Sequence, residues 1–320
     1  MVKKRSDKIR DIEEEFDEEL DEELKDEFDE EEHNKHEKHV KIGKTILKIF
    51  FIIILLFILS FMYMHYIGTA GLVVKEYKVS SKRLPDNFHG LKIVHFSDLH
   101  YKNTINKKEL KRLVNKINEI KPDIVVFTGD LLSNNKEITK NDIKTLTKEL
   151  NRIEASIGIY SIKGDEDYNK TYDKVISKTN IKVINNSYEV IYNKGNIPIL
   201  ITGTGSILKN DCDLGSTYSY NEMDNLYTIS LIHEADITED IKGTYKPNLI
   251  LAGHSNNGQI RLPLIGGMIK FEEGKKYVNP KYEFSNSTLF VSGGLGTSKY
   301  EFRLFNHPSI NFYRLVKETN

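Results

Sequence analysis

The 320-residue chain has one cysteine, Cys212, so no disulfide can close within it and no multi-cysteine zinc site can form. No histidine-rich motif lies beside Cys212, which reads as a packing residue rather than a nucleophile. Proline is absent before Pro85, and from Ile49 to Val74 there are 26 residues without a single Lys, Arg, Asp or Glu. An even spread of charge is also missing. The net charge of −1 conceals a head, residues 1–45, with 18 acids against 10 Lys or Arg, and a remainder that carries +7. These gaps divide the chain into an acidic head (1–45), an apolar segment (46–74) and a basic body (75–320).

Between Asp11 and Glu32 there are 16 acids and one base, Lys25. Such a block repels itself and reads as a solvated, disordered tail. Ile12, Phe16, Leu20, Leu24 and Phe28 recur every four residues, which on a helix makes a slowly drifting stripe that could dock on a partner, as yet unidentified. His33, His36 and His39 follow in what reads as a charged linker approaching the apolar run. Ile49–Ile67 is long enough to cross a bilayer as one transmembrane helix, and Tyr63 and Tyr66 sit where interfacial aromatics belong. Gly68-Thr69-Ala70 resembles a signal cleavage site, but the run starts late and is long, so an anchor is the better reading. Five lysines precede the run (35, 38, 41, 44, 48), and Lys75, Lys78, Lys82 and Arg83 follow it. That slight bias places the N-terminus in the cytoplasm and the body outside, on a single-pass cell-membrane anchor.

In the body, short apolar runs alternate with helical periodicity. Leu91–Phe96, Ile124–Thr128 and Ile157–Ile162 read as buried strands. Lys107–Ile120, closed by Pro122, and Asn141–Arg152 read as helices. Later strands are expected at Ile181–Ile184, Glu189–Tyr192, Ile197–Thr202, Tyr227–Ile232, Leu249–Ala252, Leu289–Val291 and Ile310–Leu315. The class is α/β, with so many strands that two sheets should pack together with helices outside. The lysines of the body are scattered and no nucleic-acid motif is present, so no nucleic-acid partner is expected.

Polar residues gather just past the C-terminal ends of these strands: Asp98 and His100, Asp130, Asp165 to Asp167, His233, and His254 with Asn256. Ligands of open α/β folds bind at that edge. Carboxylates mixed with imidazoles suit divalent metals of intermediate hardness. Each piece alone is ordinarily a turn, a cap or a core histidine, and the order of all five carries the signal.

That order resembles the calcineurin-like metallophosphoesterases, most closely a bacterial membrane-anchored branch related to the UDP-2,3-diacylglucosamine pyrophosphohydrolases. LKIVHFSDLH is similar to the family's D-x-H strand and PDIVVFTGDLL to its G-D motif. GDEDY stands where the family has GNHDY, and LIHEADI matches its single-histidine segment. LILAGHSNNGQIRLP stands for LxLAGHTHGGQxRLP, and LFVSGGLGTS followed by Arg303 matches the C-terminal signature. The resemblance covers about Lys75 to Val316. It implies a four-layer α-β-β-α sandwich of two mixed sheets and two divalent metal ions, Mn, Fe, Zn or Mg. One ion would take Asp98, His100, Asp130 and Asn256; the other Asp130, Asp165, His233 and His254.

Three departures from the family pattern matter. Asp165 replaces the asparagine of GNHD, and aspartate is a good oxygen ligand. Glu166 replaces the catalytic histidine. It cannot donate a hydrogen bond unless protonated, so a catalytic Glu166 needs a pKa raised by burial. Asn256 replaces the second histidine of G-H-x-H and is a weaker ligand. Two readings follow. One is a hydrolase acting on a phosphodiester or pyrophosphate in a phosphorylated small-molecule or lipid-linked substrate. The other is a catalytically impaired binding or sensor protein on the same fold. Arg261, Arg303 and the Lys75–Arg83 stretch are candidates for phosphate contacts, with surface or packing roles as the alternative.

Overall fold

The computed structural model describes residues 2–220 and 225–319. It divides into two compact units, one ending at Phe61 and one beginning at Met62. Helix α1 runs from Val2 to Met62 and ends in a π-helical turn, Tyr63–Ile67. The acidic head, expected to be disordered, is thus helical, and no break falls at residue 45. The physical reason is local. Glu, Leu and Lys are strong helix formers, no proline interrupts them, and Glu31–Lys35 (2.9 Å) and Glu37–Lys41 (2.8 Å) pair one turn apart. Phe16, Leu20, Leu24 and Phe28 are exposed along it. Farther on, the side chains of Ile49–Leu59 are also exposed, and this is the one helix among the described residues that is long and apolar enough to cross a membrane.

The body begins with β1 (Val73–Ser81), then β2 (Lys92–Phe96), α2 (Lys107–Ile120), β3 (Ile124–Phe127), α3 (Lys140–Leu150), β4 (Gly158–Ser161), α4 (Lys170–Ile176) and β5 (Lys182–Val183). It continues with β6 (Ser187–Ile191), β7 (Ile199–Gly203), α5 (Leu214–Thr217), β8 (Tyr227–Ile232), α6 (Thr238–Thr244) and β9 (Leu249–Ala252). The small strands β10 (Arg261–Leu262), β11 (Gly266–Gly267) and β12 (Lys281–Glu283) precede β13 (Thr288–Val291) and β14 (Ser309–Lys317). One sheet has the order β1-β14-β2-β3-β4-β5 and the other β12-β13-β9-β8-β7-β6, with β10 and β11 forming a separate hairpin.

Both sheets are mixed. In the first, β2 to β5 run parallel and β14 pairs antiparallel to β2. In the second, β7, β8, β9 and β13 are parallel and the edges β6 and β12 antiparallel. Side chains alternate across each strand. Ile93, Val126, Ile201, Ile229 and Leu251 meet in the core between the sheets. Val94 and Phe127 face the outer layer of α2, α3 and α4, while Leu200, Ile232 and Ile250 face that of α6. Strands buried on both faces must be apolar throughout, which is why they read as continuous hydrophobic runs. The result is the expected four-layer sandwich. The sequence reading had not placed β1 or β10–β12, nor α4 to α6. β1 pairs in parallel with β14 along its whole length, from Val73↔Ser309 to Ser81↔Lys317. Its alternation is weak because it lies at a half-exposed sheet edge.

One titratable group lies inside this frame. His95 on β2 is fully buried, with Nε2 2.8 Å from the Thr128 hydroxyl and Nδ1 3.3 Å from that of Tyr313. Burial lowers its pKa from about 6.5 to about 3. Between those values the unfolded chain binds a proton that the folded chain refuses, so this group makes the fold lose stability as pH falls through that window. His95→Gln keeps hydrogen-bonding groups without titrating there. Urea unfolding of the two proteins at pH 7 and pH 5 should show a smaller acid-induced loss in the variant; an equal loss would contradict the assignment.

Candidate metal centre

The functional side chains sit on turns at the C-terminal ends of five strands from both sheets. β2 leads to Asp98 and His100, β3 to Asp130, β4 to Asp165 and Glu166, β8 to His233, and β9 to His254 and Asn256. These turns are tight. Asp98 (φ 50°), His100 (39°), Asp130 (62°), His254 (62°) and Asn256 (48°) all have left-handed backbone. Each such residue costs about 1–3 kcal/mol and persists only where its surroundings over-determine it. Here they do. Asp98 N–H donates to the Gly129 carbonyl (2.9 Å), His100 N–H to that of Asp130 (3.1 Å), and His254 N–H to the Asp98 carboxylate (3.1 Å). Glycine is required at 164, where a Cβ would collide with the backbone nitrogen and carboxylate of Asp130.

Asp130 lies at the centre. Its Oδ2 is 3.6 Å from His100 Nε2 and 3.4 Å from His233 Nε2, and its Oδ1 accepts from the Glu166 N–H (2.9 Å). On one side, Asp98 Oδ1 is 3.9 Å from His100 Nε2. On the other, Asp165 Oδ1 lies 3.3 Å from His233 Nε2 and 3.2 Å from His254 Nδ1. Two groupings therefore share Asp130: Asp98, His100 and Asp130, and Asp130, Asp165, His233 and His254. Within each, one ligand atom per residue falls within 4.8 Å of the others, compact enough to hold a cation.

The buried atoms His100 Nε2, His233 Nε2 and Asp165 Oδ1 have no hydrogen-bond partner. Such atoms are expensive to leave unpaired, and divalent metals are what this donor set satisfies. The outer nitrogen of each imidazole is directed at an oxygen. His233 Nδ1–H donates to the Thr128 carbonyl (2.6 Å) and His254 Nε2–H to that of Glu272 (2.7 Å). His100 Nδ1 makes an ion-pair contact of 3.6 Å with Glu166 Oε2. For His233 and His254 these bonds aim the inner lone pair at the centre, as metal-binding histidines require.

The charges are strongly coupled. Burial opposes a proton on His100, but Glu166, Asp130 and Asp98 overcome it and lift its pKa to about 9. His233 and His254 are raised in the same way, against their burial, by Asp130 and Asp165. Burial raises Asp130. For Asp165, burial is outweighed by the neighbouring His233 and His254 imidazoles, which hold the carboxyl well below its usual range.

Glu166 differs from expectation. Burial would raise its pKa, but His100 and the Asn134 N–H, which donates to Oε2 at 2.8 Å, lower it instead. The Glu166 carboxyl thus sits below its ordinary range beside His100, whereas a catalytic Glu166 is expected to have a pKa raised by burial. Asn256 reaches the first grouping with its amide nitrogen, 3.4 Å from Asp98 Oδ1, while its oxygen accepts from Arg303 Nη2 at 3.3 Å. Arg303 is completely buried and also donates to the carbonyls of Gly293, Gly296 and Asn306. It braces this corner and is not exposed to a substrate phosphate. Arg261, half-buried, is held by the Asn257 carbonyl and the Asn279 side chain.

The sequence reading grouped Asp167 with its neighbours without giving it a role. Its buried carboxylate accepts from the backbone N–H groups of Asp130 (2.7 Å), Leu131 (2.9 Å) and Gly164 (3.0 Å), tying the β3 and β4 turns together. Its place at the end of G-D-E-D was the available signal. The backbone partners Thr128 and Glu272 leave no trace in side-chain identity.

The family model for calcineurin-like phosphoesterases matches residues 91–282. The uncharacterized metallophosphoesterase YkuE of Bacillus subtilis is 31% identical over 81% of this chain and 90% of its own length. Phosphodiesterase YaeI of Escherichia coli is 25% identical, covering 80% of this chain and 93% of its own. UDP-2,3-diacylglucosamine pyrophosphatase LpxG of Chlamydia muridarum is 24% identical, covering 74% and 88%. With its strand-end carboxylates and imidazoles brought together around Asp130, this chain belongs to the calcineurin-like phosphoesterase family.

Proposed function

We propose that this protein is a membrane-anchored, metal-dependent phosphoesterase that hydrolyses a phosphodiester or pyrophosphate. The observation that carries the reading is the set of unpaired, buried imidazole and carboxylate atoms on both sides of Asp130. Asp98, His100 and Asp130 would hold one cation, and Asp130, Asp165, His233 and His254 a second, with Asp130 shared; Asn256, expected as a fourth ligand of the first, instead turns its amide nitrogen toward Asp98 and gives its oxygen to Arg303. Divalent ions at these positions supply positive charge for the phosphoryl group and lower the pKa of attacking water. The carbonyls of Thr128 and Glu272 hold His233 and His254 each in one tautomer, and Glu166 lies beside His100. The oxygen-rich donor set suits Mn or Mg, and the three histidines also suit Fe or Zn.

Ile49–Ile67 would anchor the chain with residues 1–45 in the cytoplasm and the body, from about residue 75, outside. The names of the relatives suggest a phosphorylated small-molecule or lipid-linked substrate.

A second reading, a binding or sensor protein with impaired catalysis, is favoured by two contacts: the ionised Glu166 lies on His100, and Arg303 occupies the Asn256 oxygen. Hydrolysis of an aryl phosphodiester by the full chain in detergent with Mn decides between the two. Measurable turnover is expected. Glu166→His, which restores a proton donor, should raise kcat by about 10²-fold. Background turnover that neither Glu166→His nor Asn256→His lifts would eliminate the enzyme reading.

The shared ligand is tested separately. Asp130→Asn should lose both ions and all turnover, as read by elemental analysis of the purified chain alongside the assay. Two ions retained per chain would show that the ligand assignment is wrong.

A further inference from the structure

The hairpin β10–β11 presents an apolar tip to solvent: Leu264 is 108% exposed, Ile265 70% and, just beyond the hairpin, Met268 50%. Leu264 has left-handed backbone, φ 67°. Turn tips that need positive φ favour Gly, Asn or Asp, so a fully exposed leucine there is unfavourable twice over in water. Phe305, 61% exposed and also at positive φ (52°), adds a fourth apolar side chain. The two segments are joined, because Arg261 N–H donates to the Leu304 carbonyl (2.9 Å) and Ile260 bridges to Leu304.

The same loop is tied to the point where the chain leaves its apolar run. Arg303 N–H donates to the Met64 carbonyl (3.0 Å), and His65 Nδ1 lies 2.9 Å from that of Glu301. Tyr66 and Ile67, at the end of that run, are exposed. Net positive charge lies a few residues past the exit: Leu72 lines one depression with Lys108, Lys111 and Arg112 of α2, together with Lys116 and its ion-pair partner Glu119. The other root of the hairpin is the metal-site loop. Ile269 N–H donates to the Gly258 carbonyl (3.2 Å), and Glu272, a few residues on, holds His254.

We infer that this apolar tip, with Phe305, seats in the surface of the bilayer that holds Ile49–Ile67. The surface is an anionic phospholipid leaflet, matched by the basic flank of α2. Exposed leucine, isoleucine and phenylalanine on a loop bonded to the end of an apolar run, on a body that also carries a basic helix face, suit an interfacial contact. Because the hairpin and the metal-site loop share their roots, this contact turns the centre toward the headgroups of the leaflet. The inference rests on the anchor reading given under Proposed function.

The chain has no tryptophan, so a single introduced one reports its own surroundings. Three full-chain variants, Leu264→Trp, Phe57→Trp within the apolar run, and Tyr192→Trp on an exposed loop outside these segments, are reconstituted in nanodiscs of phosphatidylglycerol and phosphatidylcholine with or without brominated acyl chains. In the expected result Leu264→Trp is blue-shifted and loses most of its emission to brominated lipid, as Phe57→Trp does, while Tyr192→Trp stays red-shifted and unquenched. Emission from Leu264→Trp that is unquenched beside a quenched Phe57→Trp overturns the docking and leaves the anchor standing. Unquenched emission from both overturns the anchor and the docking together. A blue shift without bromine quenching assigns the tip to a second protein copy and also overturns the inference.

Discussion

Everything at this centre depends on keeping the carboxylate of Asp130 buried among like charges. Asp98, Asp165 and Glu166 crowd around it, Asp98 fully buried and the other two partly so. Burial pushes Asp130 toward protonation, and the imidazoles of His100 and His233 pull it back. Such an array is stable only if cations, or protons standing in for them, occupy the space between the oxygens. The backbone is committed to the same end. Asp167 holds the Asp130 nitrogen, and glycine at 164 lets the β4 turn approach closely enough to do it. The two-sheet core then fixes where the five strand ends fall, which makes the meeting of distant residues a property of the fold and not of any loop.

Seen from this centre, the departures at 166 and 256 are parts of one rearrangement. Glu166 adds a carboxylate but spends it on His100, supplying the outer partner that backbone carbonyls supply for His233 and His254. Asn256 withdraws an imidazole, and its oxygen is taken by Arg303, whose buried guanidinium adds positive charge beside Asp98. Four carboxylates therefore face three imidazoles and one buried guanidinium, so the negative charge that Glu166 adds is partly offset from within the protein.

The strands were legible because both faces are buried. Tyr227–Ile232 and Leu249–Ala252 match their elements to the residue, as does the helix Lys107–Ile120, whose ends carry an Asn106 capping box and a left-handed Lys121. The residues gathered around Asp130 were legible because each follows such a strand. Elements with weak periodicity were not: β1 is held by pairing with β14, and β10 and β11 are two residues each. The head turns on a related balance. Charge density argued for disorder, while local helix propensity and one-turn ion pairs favoured α1. Roles that depend on backbone carbonyls, as for Thr128 and Glu272, or on which way a side chain points, as for Glu166 and Arg303, are three-dimensional facts without a one-dimensional signature.

Arg303 joins the two halves of the functional reading. Its side chain braces Asn256 at the metal-site loop, and its backbone N–H is bonded to Met64 where the apolar run ends. A residue buried this completely, with its guanidinium bonded to three carbonyls and an amide, transmits position rather than charge to solvent. Any displacement of the Met64–Gly68 segment is thus felt at Asn256 through one rigid side chain. Gly68 belongs to the same contact, since a Cβ there would collide with the Arg303 carbonyl. The site and the Met64–Gly68 segment are therefore joined through one buried residue.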